Sequence, residues 1–311
     1  MTILITGASG FVGGALAKCL FEQGRTIRTL GRTRPKVAVE FVQGSIDDRL
    51  VSRGALEGVD CVVHLAGRAH QLKDASEDPL ESFRVANCKL SEALAAQAID
   101  AGVRRFVFIS SIGVNGAVTK DGQAFTALSE PEPHSPYARS KYEAEVALQA
   151  LCRESSMELV VIRPPLVYGP GAPGNFASLM RWVGRGVPLP LGAIHNKRSL
   201  VGVDNLVDLI IRCIDHPAAA NQVFLAGDGE DLSTTELLRQ VSDAMARPGC
   251  LLPVPSSFLR LAANALGKKA MAQSLLDSLQ VDISKARNLL GWEPPVSVKE
   301  GLRRCVRDSS V

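Results

Sequence analysis

The chain has 311 residues, of which 46% are hydrophobic and 22% charged, and its formal net charge is +3. These proportions exclude a disordered chain, and so small a charge gives no reason to expect nucleic acid as a partner. No uninterrupted apolar stretch reaches about 18 residues, so no transmembrane segment is expected. The first predicted strand starts at Thr2, which leaves no room for a signal peptide and predicts a cytoplasmic protein.

The cysteines and histidines show no metal or disulfide pattern. The seven cysteines include no C-x-x-C pair and lie mostly in apolar runs, and the five histidines are scattered. This arrangement predicts reduced, packed thiols and no metal site.

Three glycines follow the first strand directly. The apolar run Thr2–Ile5 leads into Gly7, Gly10 and Gly13, after which apolar residues recur at helical spacing. Glycines let the backbone turn tightly and approach a pyrophosphate, and the N-terminus of the helix supplies free N–H groups. The spacing is Gly-x-x-Gly-x-x-Gly rather than the general Gly-x-Gly-x-x-Gly, so an ordinary strand-to-helix turn is the alternative.

Strand-like and helix-like patterns alternate through the first half of the chain. Further strands are predicted at Thr26–Leu30, Val39–Val42, Cys61–Leu65, Arg105–Ile109 and Leu159–Arg163. Helices are predicted at Phe11–Gln23, Pro79–Ala101 and Tyr137–Glu154, with Asp78 capping the second. The alternation predicts an α/β fold with a Rossmann-like doubly wound parallel sheet.

The pattern changes after about Pro164, where Pro and Gly become frequent. We expect a dinucleotide-binding Rossmann domain over residues 1–165. Residues 166–311 would form a smaller, interleaved C-terminal substrate-binding lobe, with some segments returning to the sheet and a ligand cleft between the two parts.

Helix ends can be placed in this second half. Asp204 is predicted to cap a helix that ends near Asp215, and Ser233 with Glu236 has the form of a capping box. Gly291, followed by Pro294, is predicted to end another helix. The amphipathic stretch Phe258–Leu279 has two interpretations, a membrane-surface element or a pair of packed helices. We favour the packed helices because basic residues are few.

A tyrosine and a lysine lie four residues apart on the third predicted helix. Tyr137 and Lys141 therefore share one face. A nearby ammonium and an oxidised nicotinamide ring would both lower the pKa of a tyrosine, so this pair can move a proton. Ser110 and Ser111 follow the strand Arg105–Ile109, at the sheet edge where such sites form.

The sequence resembles the extended short-chain dehydrogenase/reductases, in the nucleotide-sugar branch of the NAD-dependent epimerase/dehydratase family. The matching stretches are TGASGFVG (6–13), HLAG (64–67), Asn87, FVFISSIGVNG (106–116), SPYARSKYEAE (135–145), RPPLVYGPG (163–171), KRSLVGVDNLVD (197–208) and LLGWEPPVSVKEGL (289–302). Within the branch, the sequence looks closest to UDP-4-keto-sugar reductases of O-antigen UDP-N-acetylquinovosamine synthesis.

The resemblance implies a set of site residues. The catalytic residues would be Ser111, which holds the substrate oxygen, Tyr137 as acid and base, and Lys141, with Ser110 as second choice. Cofactor contacts would come from Gly7, Ser9, Gly10, Phe11, Val12, Arg32, Ser45, Ile46, Leu65, Ala66, Gly67, Asn87, Tyr137, Lys141 and Pro164. Arg198 would bind the nucleotide diphosphate, for which a surface salt bridge is the alternative role, and Asn175 would face the sugar.

Three departures from the family pattern refine the expectation. Gly31 stands where many NAD-using members end the second strand with an acid, and Arg32 and Arg34 follow it. An acid would repel a 2′-phosphate that arginines attract, so NADP(H) is favoured and NAD(H) remains possible. Ser45 replaces the aspartate on the adenine side, which puts that contact in doubt. Ser111 is followed by no Asp-Glu pair, which argues against sugar dehydration.

The expected function is reduction of the 4-keto group of a UDP-(N-acetyl)-6-deoxyhexose, with Tyr137 as general acid. A UDP-hexose (UDP-glucose or UDP-GlcNAc) 4-epimerase would use the same residues and is the alternative. A non-catalytic dinucleotide sensor is the third interpretation. Relatives commonly dimerise through the helices that match Pro79–Ala101 and Tyr137–Glu154, so a homodimer is also expected.

Overall fold

The computed structural model describes residues 1–68, 78–247 and 249–307, with the backbone alone in residues 49–52. The strands are β1 (Thr2–Thr6), β2 (Thr26–Gly31), β3 (Glu40–Gln43), β4 (Cys61–His64), β5 (Arg105–Ile109), β6 (Glu158–Arg163), β7 (Leu166–Tyr168), β8 (Arg198–Gly202), β9 (Gln222–Leu225) and β10 (Asp231–Leu232).

The α-helices alternate with these strands. They are α1 (Phe11–Glu22), α2 (Arg49–Leu56), α3 (Pro79–Arg84), α4 (Leu90–Asp100), α5 (Pro136–Arg153), α6 (Gly174–Gly184), α7 (Val203–Asp215), α8 (Thr234–Ala244), α9 (Ser256–Ala265), α10 (Lys269–Leu276), α11 (Ser284–Leu290) and α12 (Val298–Arg307). A π-helical turn (Val85–Lys89) joins α3 to α4, and short 3-10 helices lie at Ile112–Val114 and Pro217–Ala219.

The main sheet has seven strands in the order β3-β2-β1-β4-β5-β6-β9, all parallel. The order reverses between β1 and β4, which is the point where open α/β sheets bind ligands beyond the carboxyl ends of their strands. The doubly wound parallel sheet predicted from the sequence is therefore confirmed.

Both faces of the sheet are covered, because side chains alternate along each strand. Ile3 and Ile5 of β1 pack with α1, α7 and α11 on one face. Leu4, between them, packs on the other face with α2, α4 and α5. This explains why the central strands are apolar throughout rather than alternately polar.

The second half of the chain contributes to both parts of the molecule. Strand β9 extends the main sheet beside β6, and α7 packs against α1. The remaining segments form a lobe around a three-stranded sheet of order β10-β8-β7. Its apolar core brings α6, α8, α10 and α12 together.

Several predicted helix ends are confirmed. Asp78 caps α3, Ser233 and Glu236 form the capping box of α8, and Gly291 ends α11 in the left-handed conformation. The prediction for Asp204 is wrong. Helix α7 begins after Gly202 with no side-chain cap, and Asp204 lies inside its first turn, where it pairs with Arg304 at 2.6 Å.

The structure also shows the surroundings of the cysteines. In the described part of the chain no disulfide is present, and four cysteines are buried while Cys250 is exposed.

The stretch Phe258–Leu279 contains α10 and most of α9, which pack against each other as the packed-helix interpretation expects. Among the described residues, no helix is both long and apolar enough to cross a membrane.

Candidate active site

The glycines after β1 allow close backbone packing. Gly7 has φ +75°, and a Cβ there would lie 2.7 Å from the nitrogen of Ala66. A Cβ on Gly13 would lie 2.2 Å from the oxygen of Gly7. Only glycine can therefore let β1, α1 and the loop after β4 meet at this point.

Helix α1 presents an open N-terminus at this turn. Gly10 precedes the helix and no side chain caps it. Ser9 and Gly10 are exposed, and Phe11 and Val12 are partly exposed in the first turn. Uncapped N–H groups at a helix N-terminus suit a pyrophosphate.

The end of β2 carries positive charge. Arg32 and Arg34 are exposed, and the Arg34 guanidinium lies 5.0 Å from the ring centroid of Phe41. Ser45 hydrogen-bonds the Asp47 carboxyl, which lowers the pKa of that carboxyl, and the charge of Arg32 contributes to the same shift. Ile46 is buried. Arg32 thus faces one carboxylate that partly offsets its charge.

A chain of buried hydrogen bonds supports the loop after β4. His64 Nδ1 lies 2.6 Å from Thr6 Oγ1, and His64 Nε2 lies 2.9 Å from Ser91 Oγ. Ser91 donates its own proton to the oxygen of Asn87 over 2.6 Å, so it accepts from Nε2–H and Thr6 donates to Nδ1. Burial, helped by the positive charge of Lys141, lowers the pKa of His64 to about 3, so the ring is neutral.

Asn87 lies in the π-helical turn and is fully buried. Its side-chain oxygen accepts from the nitrogen of Arg68 at 2.8 Å, and its amide donates to the oxygen of Arg68 and to Ser140. It thereby fixes the loop that holds Leu65, Ala66 and Gly67. The predicted contact between Asn87 and the cofactor stays a prediction, because the structure shows Asn87 bonding protein groups.

Tyr137 and Ser111 meet at the carboxyl end of β5. Ser135 caps α5 and places Tyr137 in its first turn. A hydrogen bond from Ser111 favours the phenolate, but burial dominates and raises the pKa of Tyr137 to about 12. The Phe83 ring packs edge-on against the tyrosine, with centroids 5.9 Å apart. At neutral pH Tyr137 is therefore a protonated phenol beside a hydroxyl.

Lys141 lies one turn further along α5. Its Nζ donates to the oxygen of Ile109 at 2.9 Å and lies 4.6 Å from the centroid of the Phe108 ring. A Cβ on Gly67 would lie only 3.3 Å from this Nζ. Burial lowers the pKa of Lys141 to about 8.

Ser110 belongs to a different network, which the sequence did not reveal. Its hydroxyl donates to Glu145, a buried carboxylate one turn beyond Lys141 on α5. Arg163 at the end of β6 holds the same carboxylate with its Nε at 3.0 Å, and donates to Asn115 at 3.0 Å. The signal in the sequence was the Arg163 charge at the end of the apolar run of β6, because a buried charge needs a partner. Pro164, also buried, accepts from the nitrogen of Ile112 at 2.9 Å.

The two residues that the sequence analysis expects to bind substrate lie on the lobe. Arg198 begins β8, is half-buried, and donates from Nη1 to the oxygen of Asp277 at 3.0 Å. Strand β8 pairs through Arg198 with Leu279, and Leu279 packs with Ile112, the residue after Ser111. Leu279 and Ile112 thus connect the start of β8 to the loop after β5. Asn175 is exposed at the start of α6.

No metal cluster accompanies these groups. Within the described ranges, no three His, Cys, Asp or Glu side chains are arranged to hold a metal ion. One histidine of the sequence, His70, lies outside the described residues.

A Rossmann sheet, a glycine turn and a Ser-Tyr-Lys set together define an enzyme of the extended short-chain dehydrogenase/reductase class. The chain belongs to the NAD dependent epimerase/dehydratase family, whose model matches residues 3–227. A UDP-glucose 4-epimerase of Vibrio cholerae is 46% identical over 307 residues, which cover 97% of this chain and 94% of the relative.

Solved structures share the fold over the whole chain. A UDP-glucose 4-epimerase with UDP-glucose from Thermotoga maritima has a TM-score of 0.81 and 26% identity, covering 100% of this chain and 99% of that one. MoeE5 in complex with UDP-glucose and NAD also has a TM-score of 0.81, at 22% identity, with 100% and 99% coverage. Because MoeE5 is only 22% identical to this chain, that similarity shows a shared fold and nothing more.

Proposed function

We propose that this enzyme transfers hydride between a nicotinamide dinucleotide and carbon 4 of a UDP-linked sugar. The observation that carries the proposal is the meeting of Ser111 and Tyr137, with Lys141 one turn away, at the carboxyl ends of the central strands. The 46% identical relative, which bears the name of a UDP-glucose 4-epimerase, supports the substrate class.

The residues present fit a dinucleotide. The uncapped N-terminus of α1 suits the pyrophosphate, and Ser9, Gly10, Leu65, Ala66 and Gly67 surround the point where the strand order reverses. When bound, this group supplies or accepts the hydride.

The side chains of the site handle the proton. In the reductive direction Tyr137 donates its phenolic proton to the forming alkoxide, and a pKa of about 12 keeps that proton available at neutral pH. Ser111 donates a hydrogen bond to the same oxygen. Lys141, as an ammonium, stabilises the phenolate that remains. Arg198 is the group suited to a diphosphate, because its charge is permanent and its donors form a fork.

The finer proposal is net reduction of a UDP-4-keto sugar with NADPH. It is supported by Gly31 at the end of β2, where no carboxylate stands, and by the exposed Arg32 and Arg34 beside it. A reductase exchanges its cofactor every turnover, and a site without a carboxylate on the ribose hydroxyls is suited to such exchange.

The second candidate is a UDP-hexose 4-epimerase, which the identity to the Vibrio cholerae protein favours. Incubation with UDP-4-keto sugars and with UDP-hexoses, each with and without NADPH, separates the two. We expect one NADPH consumed per 4-keto sugar reduced. Interconversion of two UDP-hexoses without net NADPH use would contradict the reductase and retain the epimerase.

The homodimer expected from the resemblance stays a proposal. It is supported by Val85 in the π-helical turn and Val146 on α5, two apolar side chains exposed on the helices in question. Light scattering with Val146→Asp, which we expect to be monomeric, tests it.

A further inference from the structure

The polar side chains of helix α9 share one side of the helix, and no residue in the helix is buried; they are Ser256, Ser257, Arg260 and Asn264. Leu259 and Ala263 face the lobe. Phe258 and Leu261, on another side, are 65% and 69% exposed, and Leu266 at the end of the helix is 69% exposed. Large apolar side chains that group together at a protein surface mark an interaction site. The outer side of α9 is therefore an apolar surface that the described residues leave uncovered.

This surface continues into an open apolar groove. The groove has a volume of about 290 Å³ and lies between α6, α9 and α10. Trp182, Val187 and Met271 line it and are themselves exposed, while Leu189 and Leu275 form its inner wall. All its lining side chains are apolar.

The segments that build this face contain no acidic residue. Neither residues 159–203 nor residues 244–276 include an Asp or Glu. The exposed basic residues in these segments include Arg181 and Arg185 on and after α6, and Lys268 and Lys269 before and in α10. Arg260 pairs with Asp277 at 2.5 Å and is thereby neutralised. The face is thus apolar with a positively charged border.

We propose that this face, defined by Trp182, Phe258, Leu261, Leu266 and Met271, binds the surface of a membrane that contains anionic lipid. The stretch Phe258–Leu279 alone holds few basic residues, but in the fold Arg181 and Arg185 join Lys268 and Lys269 at the border of the apolar face. Exposed aromatic and aliphatic side chains with Lys and Arg at their border are what such interfaces require. A second copy of the chain would present the same positive border, so like charges oppose self-association through this face. The association is peripheral, because α9 and α10 are short helices that lie at the surface of the lobe.

Vesicle flotation with the whole protein tests the proposal. The vesicles are phosphatidylcholine alone, or phosphatidylcholine with an equal amount of phosphatidylglycerol. We expect the protein to float with the anionic vesicles, less so as salt is raised. The triple variant Phe258→Ser, Leu261→Ser, Leu266→Ser should bind at least about tenfold more weakly. Its matched control replaces Phe21, Val118 and Leu128, also exposed apolar residues, with serine and should bind as the wild type does.

A second pair of variants tests the charge. Lys268→Gln with Lys269→Gln should weaken binding to anionic vesicles by about fivefold per charge. The control variant, Lys120→Gln with Lys299→Gln, removes two exposed lysines elsewhere. It has the same net charge as the first double variant, but it should bind the vesicles as the wild type does. The proposal is overturned if the wild-type protein floats with neither kind of vesicle. It is also overturned if a variant and its control lose vesicle binding equally. A dimer that the serine variant abolishes, without vesicle binding, would assign the face to self-association instead. None of these measurements requires turnover.

Discussion

The side-chain nitrogen of Lys141 donates a hydrogen bond to the main-chain oxygen of Ile109 over 2.9 Å. This bond joins α5 to the end of β5, one residue before Ser110. The helix that carries Tyr137 and the strand end that carries Ser111 are therefore held in one frame. The proposed acid, Tyr137, and the proposed substrate-oxygen group, Ser111, can keep a fixed separation without a bound sugar, which is what pre-organised stabilisation of an alkoxide requires.

The two adjacent serines should respond differently to the same substitution. Ser111→Ala removes a donor at the reacting oxygen and should lower kcat by about 10²-fold. It also removes the acceptor of the Gly113 N–H at 3.1 Å, a cap worth about 0.5–2 kcal/mol of unfolding free energy. Ser110→Ala removes a hydrogen bond to buried Glu145 and should cost about 1–3 kcal/mol of unfolding free energy. Kinetics and urea unfolding on both variants measure this. Equal kinetic loss in both would contradict the separation of roles.

Tyr137→Phe should reduce turnover by at least about 10²-fold, the usual scale for a general acid. The ring and its packing on Phe83 remain, so cofactor affinity should change little. Stopped-flow reduction together with fluorescence titration of the dinucleotide measures both effects. Near wild-type turnover in a correctly folded variant would show that another group supplies the proton.

The sequence predicted the fold and singled out Tyr137 and Lys141 as a candidate pair, but it did not reveal the groups that support them. Parallel strands show as apolar runs, and the glycine turn and the Tyr-x-x-x-Lys spacing are local, so each can be read along the chain. Glu145, Arg163 and Ser110 come from three elements that meet only in the folded sheet. The π-helical turn at Asn87 could not be predicted either, because such turns are rare and no residue type in Val85–Lys89 marks a change from α-helical to π-helical hydrogen bonding. Asp204 was misassigned because an acid near a helix start can pair with a distant arginine instead of capping.

Removing one partner of the buried Glu145–Arg163 ion pair should lower the free energy of unfolding strongly. Arg163→Met leaves a buried carboxylate without its charged partner and should cost about 3–5 kcal/mol of unfolding free energy. Glu145→Leu combined with Arg163→Met removes both charges and should cost less than the single variant. Denaturant unfolding of the set gives the comparison. A double variant less stable than Arg163→Met would contradict this account.

His64 should make the protein sensitive to acid. The pKa of His64 in the folded protein is about 3, below its ordinary value of 6.5. Between these values the unfolded chain binds a proton that the folded chain does not, so stability falls as pH falls, by up to about 1.4 kcal/mol per pH unit. His64→Gln should show a shallower decline from pH 6.5 downward. Unfolding series at several pH values for both proteins check it, and parallel curves would exclude His64 as the cause.

The cofactor preference rests on the charges after β2. Arg32 is exposed next to Gly31, and residues 26–34 contain no Asp or Glu, so a 2′-phosphate is attracted rather than repelled. One charge-assisted contact is worth roughly 1.5–3 kcal/mol, which corresponds to about tenfold to hundredfold tighter binding of NADPH than NADH. Because the charge of Arg32 also acts on Asp47, we expect the lower end of that range. Arg32→Ala should remove most of the preference and Asp47→Asn should increase it, whereas Arg34→Ala should have a smaller effect because that guanidinium stacks on Phe41. Titration of NADPH and NADH against the wild type and the three variants measures this preference. Equal affinities in the wild type, or a preference for NADH, would contradict the NADPH assignment and favour the epimerase.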